Sequence, residues 1–283
     1  MGGRSFIDTS HPSVIDGKLE KKKMIEIVFE GPIGLCGGTI IGDRFILSAA
    51  HCLVPESVCN GYDESKIKDA IPTPAQLQIN IEGICHTFKG KACPELDVGR
   101  LVSAKTVYIL KEYYQKNCTS GDLAIIELAE VVGDHGATLS ESLELPTSGD
   151  FTLSGFGEDP EKSDATGHDL QTVTLTAEKC RQNWGTYDSI CTVEIDKNAC
   201  VGDSGGALVD KNDVIIGVVS GGTACSKMLF SKINKESDNE SVKKWRGGVF
   251  TSTALHFGFI CDIVGSIKGC PKTFTKESYL TIT

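Results

Sequence analysis

No uninterrupted apolar stretch in this 283-residue chain approaches the roughly 18 residues that a membrane-spanning helix needs. The sequence therefore offers no membrane anchor of that kind. An excess of positive charge is also missing. Its 28 lysines and arginines face 38 aspartates and glutamates, for a formal net charge of −10. A nucleic-acid partner needs a basic patch to neutralise phosphates, so none is expected. There is no Cys-x-x-Cys pair, and the cysteines are scattered along the chain, which argues against a zinc site. No metal or organic cofactor is expected. Repeats and low-complexity segments are absent. The opening residues Met1-Gly2-Gly3-Arg4-Ser5 lead into polar sequence without the apolar region of a secretory leader. They also miss the myristoylation pattern, which wants Ser or Thr where Phe6 stands.

The chain does have cysteine. Twelve are present, an even and high number that favours disulfides and an oxidising compartment. Secretion is the expectation despite the absent leader. Length alone would suggest two domains, but all-β barrels commonly reach about 250 residues as one unit. A hydrophobic content of 40% can fill a sizeable core, and 23% charged residues is ordinary for a soluble protein.

The chemistry centres on Gly202-Asp203-Ser204-Gly205-Gly206. Alone, such a cluster reads as a turn. A serine hydroxyl becomes a nucleophile only with a base to take its proton and donors to hold the charge that develops on the attacked carbonyl. A Gly-rich turn can supply the donors. Upstream, His51 ends the apolar run Ile46-Leu47-Ser48-Ala49-Ala50, and Asp122 opens the strand-like Leu123-Ala124-Ile125-Ile126-Glu127-Leu128. Without Ser204, each reads as a core histidine and a loop aspartate. Together they make a nucleophile, a base and an orienting acid. The other histidines, His11, His86, His135, His168 and His256, sit in no comparable context. Short β-branched runs between Gly, Pro and Asp punctuation, such as 24–29, 38–41 and 45–47, predict strands. Residues 254–264 predict a helix with Leu255, Phe259 and Ile263 on one face.

Six segments occur in one order: Cys36-Gly37-Gly38-Thr39-Ile40-Ile41, Ala49-Ala50-His51-Cys52, Asp122-Leu123-Ala124-Ile125, Ser154-Gly155-Phe156-Gly157, Gly202-Asp203-Ser204-Gly205-Gly206 and Gly217-Val218-Val219-Ser220-Gly221-Gly222. In this the sequence resembles the chymotrypsin-like (trypsin-fold, peptidase S1) serine protease family. The resemblance implies an all-β fold of two packed antiparallel β-barrels with a short C-terminal helix, stapled by disulfides. It implies a lead or pro-segment over 1–13 and a peptidase domain over 14–270. Within that domain it expects an N-terminal barrel at about 24–132, a C-terminal barrel at about 150–253 and a closing helix at about 254–264. Residues 271–283 are expected to be a frayed tail.

The roles that the resemblance implies are His51 as base, Asp122 as its orienting acid and Ser204 as nucleophile. The Gly202 and Ser204 N–H groups would form the oxyanion hole. Asn198, Ser220, Gly222 and Gly248 would frame the substrate pocket. Asn198 lies six residues before Ser204, where trypsin-like members carry an aspartate. Its neutrality implies a neutral, large or aromatic residue before the cut bond rather than Lys or Arg. Val14 would become a new amino terminus and pair with Asp203. Cys36–Cys52, Cys180–Cys191 and Cys200–Cys225 are the implied bridges. The pairing of Cys59, Cys85, Cys93, Cys118, Cys261 and Cys270 stays open. The implied function is a secreted, monomeric serine endopeptidase acting on protein or peptide, with a proteinaceous inhibitor as a further partner. The sequence departs from the family pattern at several places. No Arg or Lys precedes Val14, Gly221 stands where tryptophan is usual, and an insertion fills 226–247. These departures keep a second reading open: a secreted protease homologue that binds a partner with little or no turnover.

Overall fold

A computed structural model describes residues 26–31, 34–60, 64–83, 85, 99–133, 137–158, 170–181, 184–194, 197–234, 246–265 and 267–283. The expected lead over 1–13, Val14 and half of the insertion, 235–245, lie outside these residues.

Fifteen strands among them form two sheets. The first runs in the order β15-β6-β7-β3-β2-β1-β4-β5. Its strands are β1 (Glu26–Gly31), β2 (Gly34–Ile41), β3 (Phe45–Ser48), β4 (Gln78–Ile81), β5 (Arg100–Val102), β6 (Ala104–Leu110), β7 (Ala124–Leu128) and β15 (Tyr279–Ile282). The second sheet holds β8 (Thr138–Leu139), β9 (Asp150–Gly155), β10 (Gln171–Glu178), β11 (Ser189–Thr192), β12 (Ala207–Val209), β13 (Val214–Gly222) and β14 (Gly248–Ser252). It runs β12-β9-β10-β11-β14-β13-β8, and an added β12–β13 pairing closes six of its strands into a barrel. All strand pairs are antiparallel except β8 with β13.

The sequence explains these elements. In β7, Ala124–Leu128, every residue is buried; four are aliphatic, as coverage of both faces demands, and the other, Glu127, is paired with Lys105. In β12, strand alternation divides the side chains between two cores. Ala207 and Val209 join the large core of the first sheet. Leu208 joins Leu153, Leu175, Ile190 and Phe250 inside the second barrel. One short strand thus belongs to both packing units.

Five disulfides join described residues: Cys36–Cys52, Cys59–Cys118, Cys180–Cys191, Cys200–Cys225 and Cys261–Cys270. The insertion begins as the helix Cys225–Ile233.

The expected frayed tail is corrected. Tyr279–Ile282 pairs antiparallel with β6, Tyr279 opposite Leu110 and Ile282 opposite Val107. Leu280 and Ile282 are buried while Thr281 is exposed. A four-residue alternation is too short to stand out in sequence, yet it satisfies the open edge of β6. The C-terminal helix, Phe257–Val264, follows a 3-10 turn at Ala254–His256. It buries Phe257, Gly258, Phe259, Ile260 and Cys261, a wider face than the expected stripe.

The tail crosses this helix at Gly258. A Cβ there would lie 2.0 Å from the Thr275 carbonyl oxygen and 3.0 Å from the Glu277 nitrogen. Helix propensity alone favours alanine over glycine by about 1 kcal/mol, but the contact reverses the sign. Gly258→Ala is expected to destabilise the protein by about 1–3 kcal/mol in denaturant unfolding. A gain in stability would mean that the tail does not seat against the helix.

Candidate active site

β3 and β7 pair in a register that sets Ser48 opposite Ala124. The chain leaves β3 towards His51 and enters β7 from Asp122, so both residues lie at the same end of the strand pair. Ala50–Cys52 form a 3-10 turn. Ala49, Ala50 and Cys52 are fully buried, and the Cys36–Cys52 bridge ties the turn to β2. The His51 imidazole is left on the rim, its side chain 23% exposed.

Asp122 is 4% exposed. Its Oδ1 accepts the His51 main-chain N–H at 2.8 Å, and its Oδ2 lies 2.7 Å from His51 Nδ1. The Ser220 hydroxyl donates to the same Oδ2 at 2.6 Å. An ionised carboxylate only accepts, so the short contact places a proton on Nδ1 and leaves Nε2 of the neutral ring as an acceptor. Burial would depress the His51 pKa, but the Asp122 charge and hydrogen bond outweigh it, and the net effect is a pKa above the ordinary 6.5.

Loop 202–206 packs against this turn. The Gly37 N–H donates to the Ser204 carbonyl at 2.7 Å, and Cys52 Sγ lies 3.6 Å from the same oxygen. Gly205 and Gly206 are gripped by Val219 through two main-chain bonds of 3.0 and 2.9 Å, one residue from Ser220. The loop with Ser204, the turn with His51 and the hydroxyl bound to Asp122 thus meet at one place. Among the described residues, the N–H groups of Gly202 and Ser204 donate to no acceptor.

Asp203 turns the other way. Its Oδ1 accepts the Gly157 N–H at 2.7 Å and its Oδ2 the Cys200 N–H at 2.8 Å. The carboxylate occupies the room left by two absent side chains: a Cβ on Gly155 or Gly157 would lie 2.2 Å from its oxygens. Burial pushes its pKa up to about 6, and the two N–H donors only partly oppose that. Val14, its expected partner, lies outside the described residues.

Asn198 is 8% exposed. Its amide sits between Gly222 and Gly248, where Cβ atoms would come within 3.1 and 3.0 Å of it. Its Nδ2 donates to the Thr223 carbonyl at 3.0 Å and faces the Gly247 carbonyl at 3.4 Å. Two carbonyl acceptors fix the orientation of the amide, and its buried Oδ1 has no partner among the described residues. Beyond Gly222 opens a cleft of about 480 Å³ lined by Trp184, Thr223, Ala224, Lys227 and Arg246.

The family model described as Trypsin matches residues 17–245. The chain belongs to the trypsin family. It is similar to the trypsin-like protease try-5 of Caenorhabditis elegans, with 30% identity covering 74% of this chain and 75% of that protein. Trypsin beta of Drosophila erecta is 31% identical over 68% and 70% of the two chains. Trypsin Blo t 3 of Blomia tropicalis is 28% identical over 69% and 70%. The double-barrel architecture is the trypsin fold.

Two features of this trypsin-family chain escaped the sequence reading. Ser220, expected along the pocket, directs its hydroxyl to Asp122. His256, read as having no special context, is 0% exposed and lies between Asp188 and Glu277 at 3.0 and 2.8 Å. Its partners are far away in sequence, so no local signal marked it. Two groups of metal-ligating atoms occur among the described residues: Cys36, His51 and Cys52, and Glu112, His256 and Glu277. In the first, the cysteines are consumed in a disulfide. In the second, both imidazole nitrogens already face carboxylates.

The His51 pKa can be measured on the ring itself. Followed by NMR, His51 is expected to titrate above 6.5. In Asp122→Asn, burial acts unopposed and the midpoint should fall below that value. An unchanged midpoint would mean that Asp122 does not hold the imidazole.

Proposed function

We propose that this trypsin-family protein is a secreted serine endopeptidase that cuts peptide bonds through an acyl-enzyme. The observation that carries this reading is the short His51–Asp122 contact in a turn packed against loop 202–206. In the proposed mechanism, Ser204 attacks the substrate carbonyl and passes its proton to His51 Nε2. Asp122, which holds the ring through Nδ1, stabilises the imidazolium that results. The oxyanion is received by the Gly202 and Ser204 N–H groups, each contributing roughly 3 kcal/mol to the transition state. His51 then returns its proton to the leaving amine. Water, activated by the same base, releases the acid product. Because the base must be neutral, activity should rise with pH through a midpoint above 6.5.

Asn198 supports a non-tryptic preference. Its carbonyl oxygen is buried and unpaired, which costs free energy until a donor arrives. A neutral side chain bearing N–H or O–H would satisfy it. Lys or Arg would bury a charge there without a counter-charge. A freed Val14 ammonium would suit Asp203, which among the described residues two N–H donors hold without a cation, and would fix loop 202–206 in its oxyanion-binding form. The protein would act as a monomer on protein or peptide substrates and be open to proteinaceous inhibitors.

The oxidised protein, before and after cleavage near Val14, should be exposed to a fluorophosphonate probe. Stoichiometric labelling of Ser204 is expected in the processed form and should vanish in Ser204→Ala. Failure to label any form would overturn the endopeptidase reading. Specificity is tested by Asn198→Asp. It should raise the rate on Arg substrates relative to neutral ones by tenfold or more, on the order expected for a site that gains its matching partner. A wild-type enzyme that already prefers Arg would contradict the reading of the pocket.

A further inference from the structure

His256 is fully buried and plays no part in the proposed chemistry. It ends the 3-10 turn Ala254–His256. Its Nδ1 lies 2.8 Å from Glu277 Oε1 and its Nε2 3.0 Å from Asp188 Oδ2. Both carboxylates are fixed by other donors. Glu277 Oε2 accepts the Phe259 N–H at 3.0 Å. Asp188 Oδ1 accepts the Thr186 hydroxyl. A neutral imidazole carries one N–H and would set a bare lone pair against one of these oxygens. The ring is therefore doubly protonated, a buried cation between two anions. Two further titratable groups adjoin it. The Tyr187 ring stands edge-on at 6.3 Å between centroids. Glu112 accepts the Tyr187 hydroxyl at 2.8 Å and the Ser120 hydroxyl at 2.7 Å.

The same Asp188 oxygen that faces His256 accepts the Gly121 N–H at 2.7 Å. Gly121 immediately precedes Asp122. Its φ is +68°, and a Cβ would lie 2.9 Å from Glu112 Cβ, so only glycine can turn its N–H to Asp188 here. The Leu123 N–H returns to the Gly121 carbonyl at 2.7 Å. The segment that carries Asp122 is thus pinned from behind, through Asp188 and His256, by Glu277 of the C-terminal tail.

We propose that Glu277, His256 and Asp188 form a positioning relay by which the C-terminal tail holds Asp122 in place for His51. The relay rests on the reading of Asp122 as the acid that orients His51. None of the three residues touches the reacting atoms.

The charge gives the relay a pH signature. Burial lowers the His256 pKa, but hydrogen bonds and charge from Asp188 and Glu277 raise it to about 9. A histidine with a raised folded pKa stabilises the fold fully below its unfolded value of 6.5 and loses that contribution as pH rises through about 9. Alkaline deprotonation should loosen Gly121 before the protein unfolds.

The test uses full-length, oxidised protein and Glu277→Gln, which keeps the shape and removes the charge. With one carboxylate gone, the alkaline limb of kcat should move down by about one pH unit. On that limb kcat should fall about tenfold with KM changed less than about twofold, as expected when the residue that orients the base is misplaced. Hydrogen exchange of a peptide covering Gly121 should quicken about tenfold. Leu280→Ala, which loosens β15 but keeps the carboxylate, should lower the melting temperature without moving the alkaline limb. Wild-type values for the alkaline limb and for Gly121 exchange in Glu277→Gln would overturn the relay. If that variant does not fold, wild-type exchange decides. It should outpace the intrinsic alkaline increase above about pH 9, and exchange that only follows the intrinsic increase would equally overturn the relay. The exchange readout needs no turnover. An enzyme that fails to label at Ser204 therefore sinks the catalytic reading, while exchange at Gly121 still decides whether the tail holds the segment that carries Asp122.

Discussion

The Asp122 carboxylate is the constraint on which the rest of the structure depends. It is almost fully buried, and an ionised carboxylate in that position costs several kcal/mol unless donors surround it. Three donors do so, two from His51 and one from Ser220. His51 lies on a turn of the first sheet, and Ser220 lies on β13 of the second. The two packing units therefore meet over one anion. The Ser204 loop is attached to the same β13 through Val219, so satisfying Asp122 also sets where that loop can lie.

Packing reinforces this hub. β12 sends Ala207 and Val209 to one core and Leu208 to the other, and it begins directly after the Ser204 loop. That loop cannot shift without moving side chains in both cores. Dense interiors resist such shifts, so a rigid scaffold carries a site made largely of turns. The disulfides act at the turns themselves. Cys36–Cys52 closes the turn beside His51, and Cys200–Cys225 brackets the segment between Asn198 and the start of the insertion helix.

Much of this was legible in the sequence, because the chemistry concentrates its requirements in short segments. The glycines on both sides of Ser204 mark a tight turn, and the apolar run that ends at His51 marks a buried one. The largely apolar runs of β3, β7 and β13 likewise announce themselves locally. What escaped is non-local. Asp188, His256 and Glu277 each look like ordinary polar residues, and only folding brings them together. The tail strand was missed because four residues carry little periodicity, and its partner β6 lies some 170 positions earlier in the chain. Ser220 is expected along the pocket, whereas its hydroxyl donates to Asp122; sequence does not reveal which way a hydroxyl turns on a bulged strand.

Three aspartates around the site, Asp122 and Asp188 buried and Asp203 partly so, show three different solutions to one electrostatic problem. Asp122 has a histidine and a hydroxyl. Asp188 has a buried imidazole, a hydroxyl and a main-chain N–H, and these hold its pKa below the usual range although burial alone would raise it. Asp203 has two main-chain N–H donors and no cation among the described residues, and burial carries its pKa to about 6. The contrast between Asp188 and Asp203 follows from charge. Dipoles offset part of a desolvation cost, while an opposite charge at hydrogen-bond distance offsets more. A cation arriving at Asp203 therefore has more to gain than one arriving at Asp188. Asp203 shares its backbone with Gly202 and Ser204, the proposed oxyanion donors. A charge bound there would act directly on the loop that carries the proposed oxyanion donors.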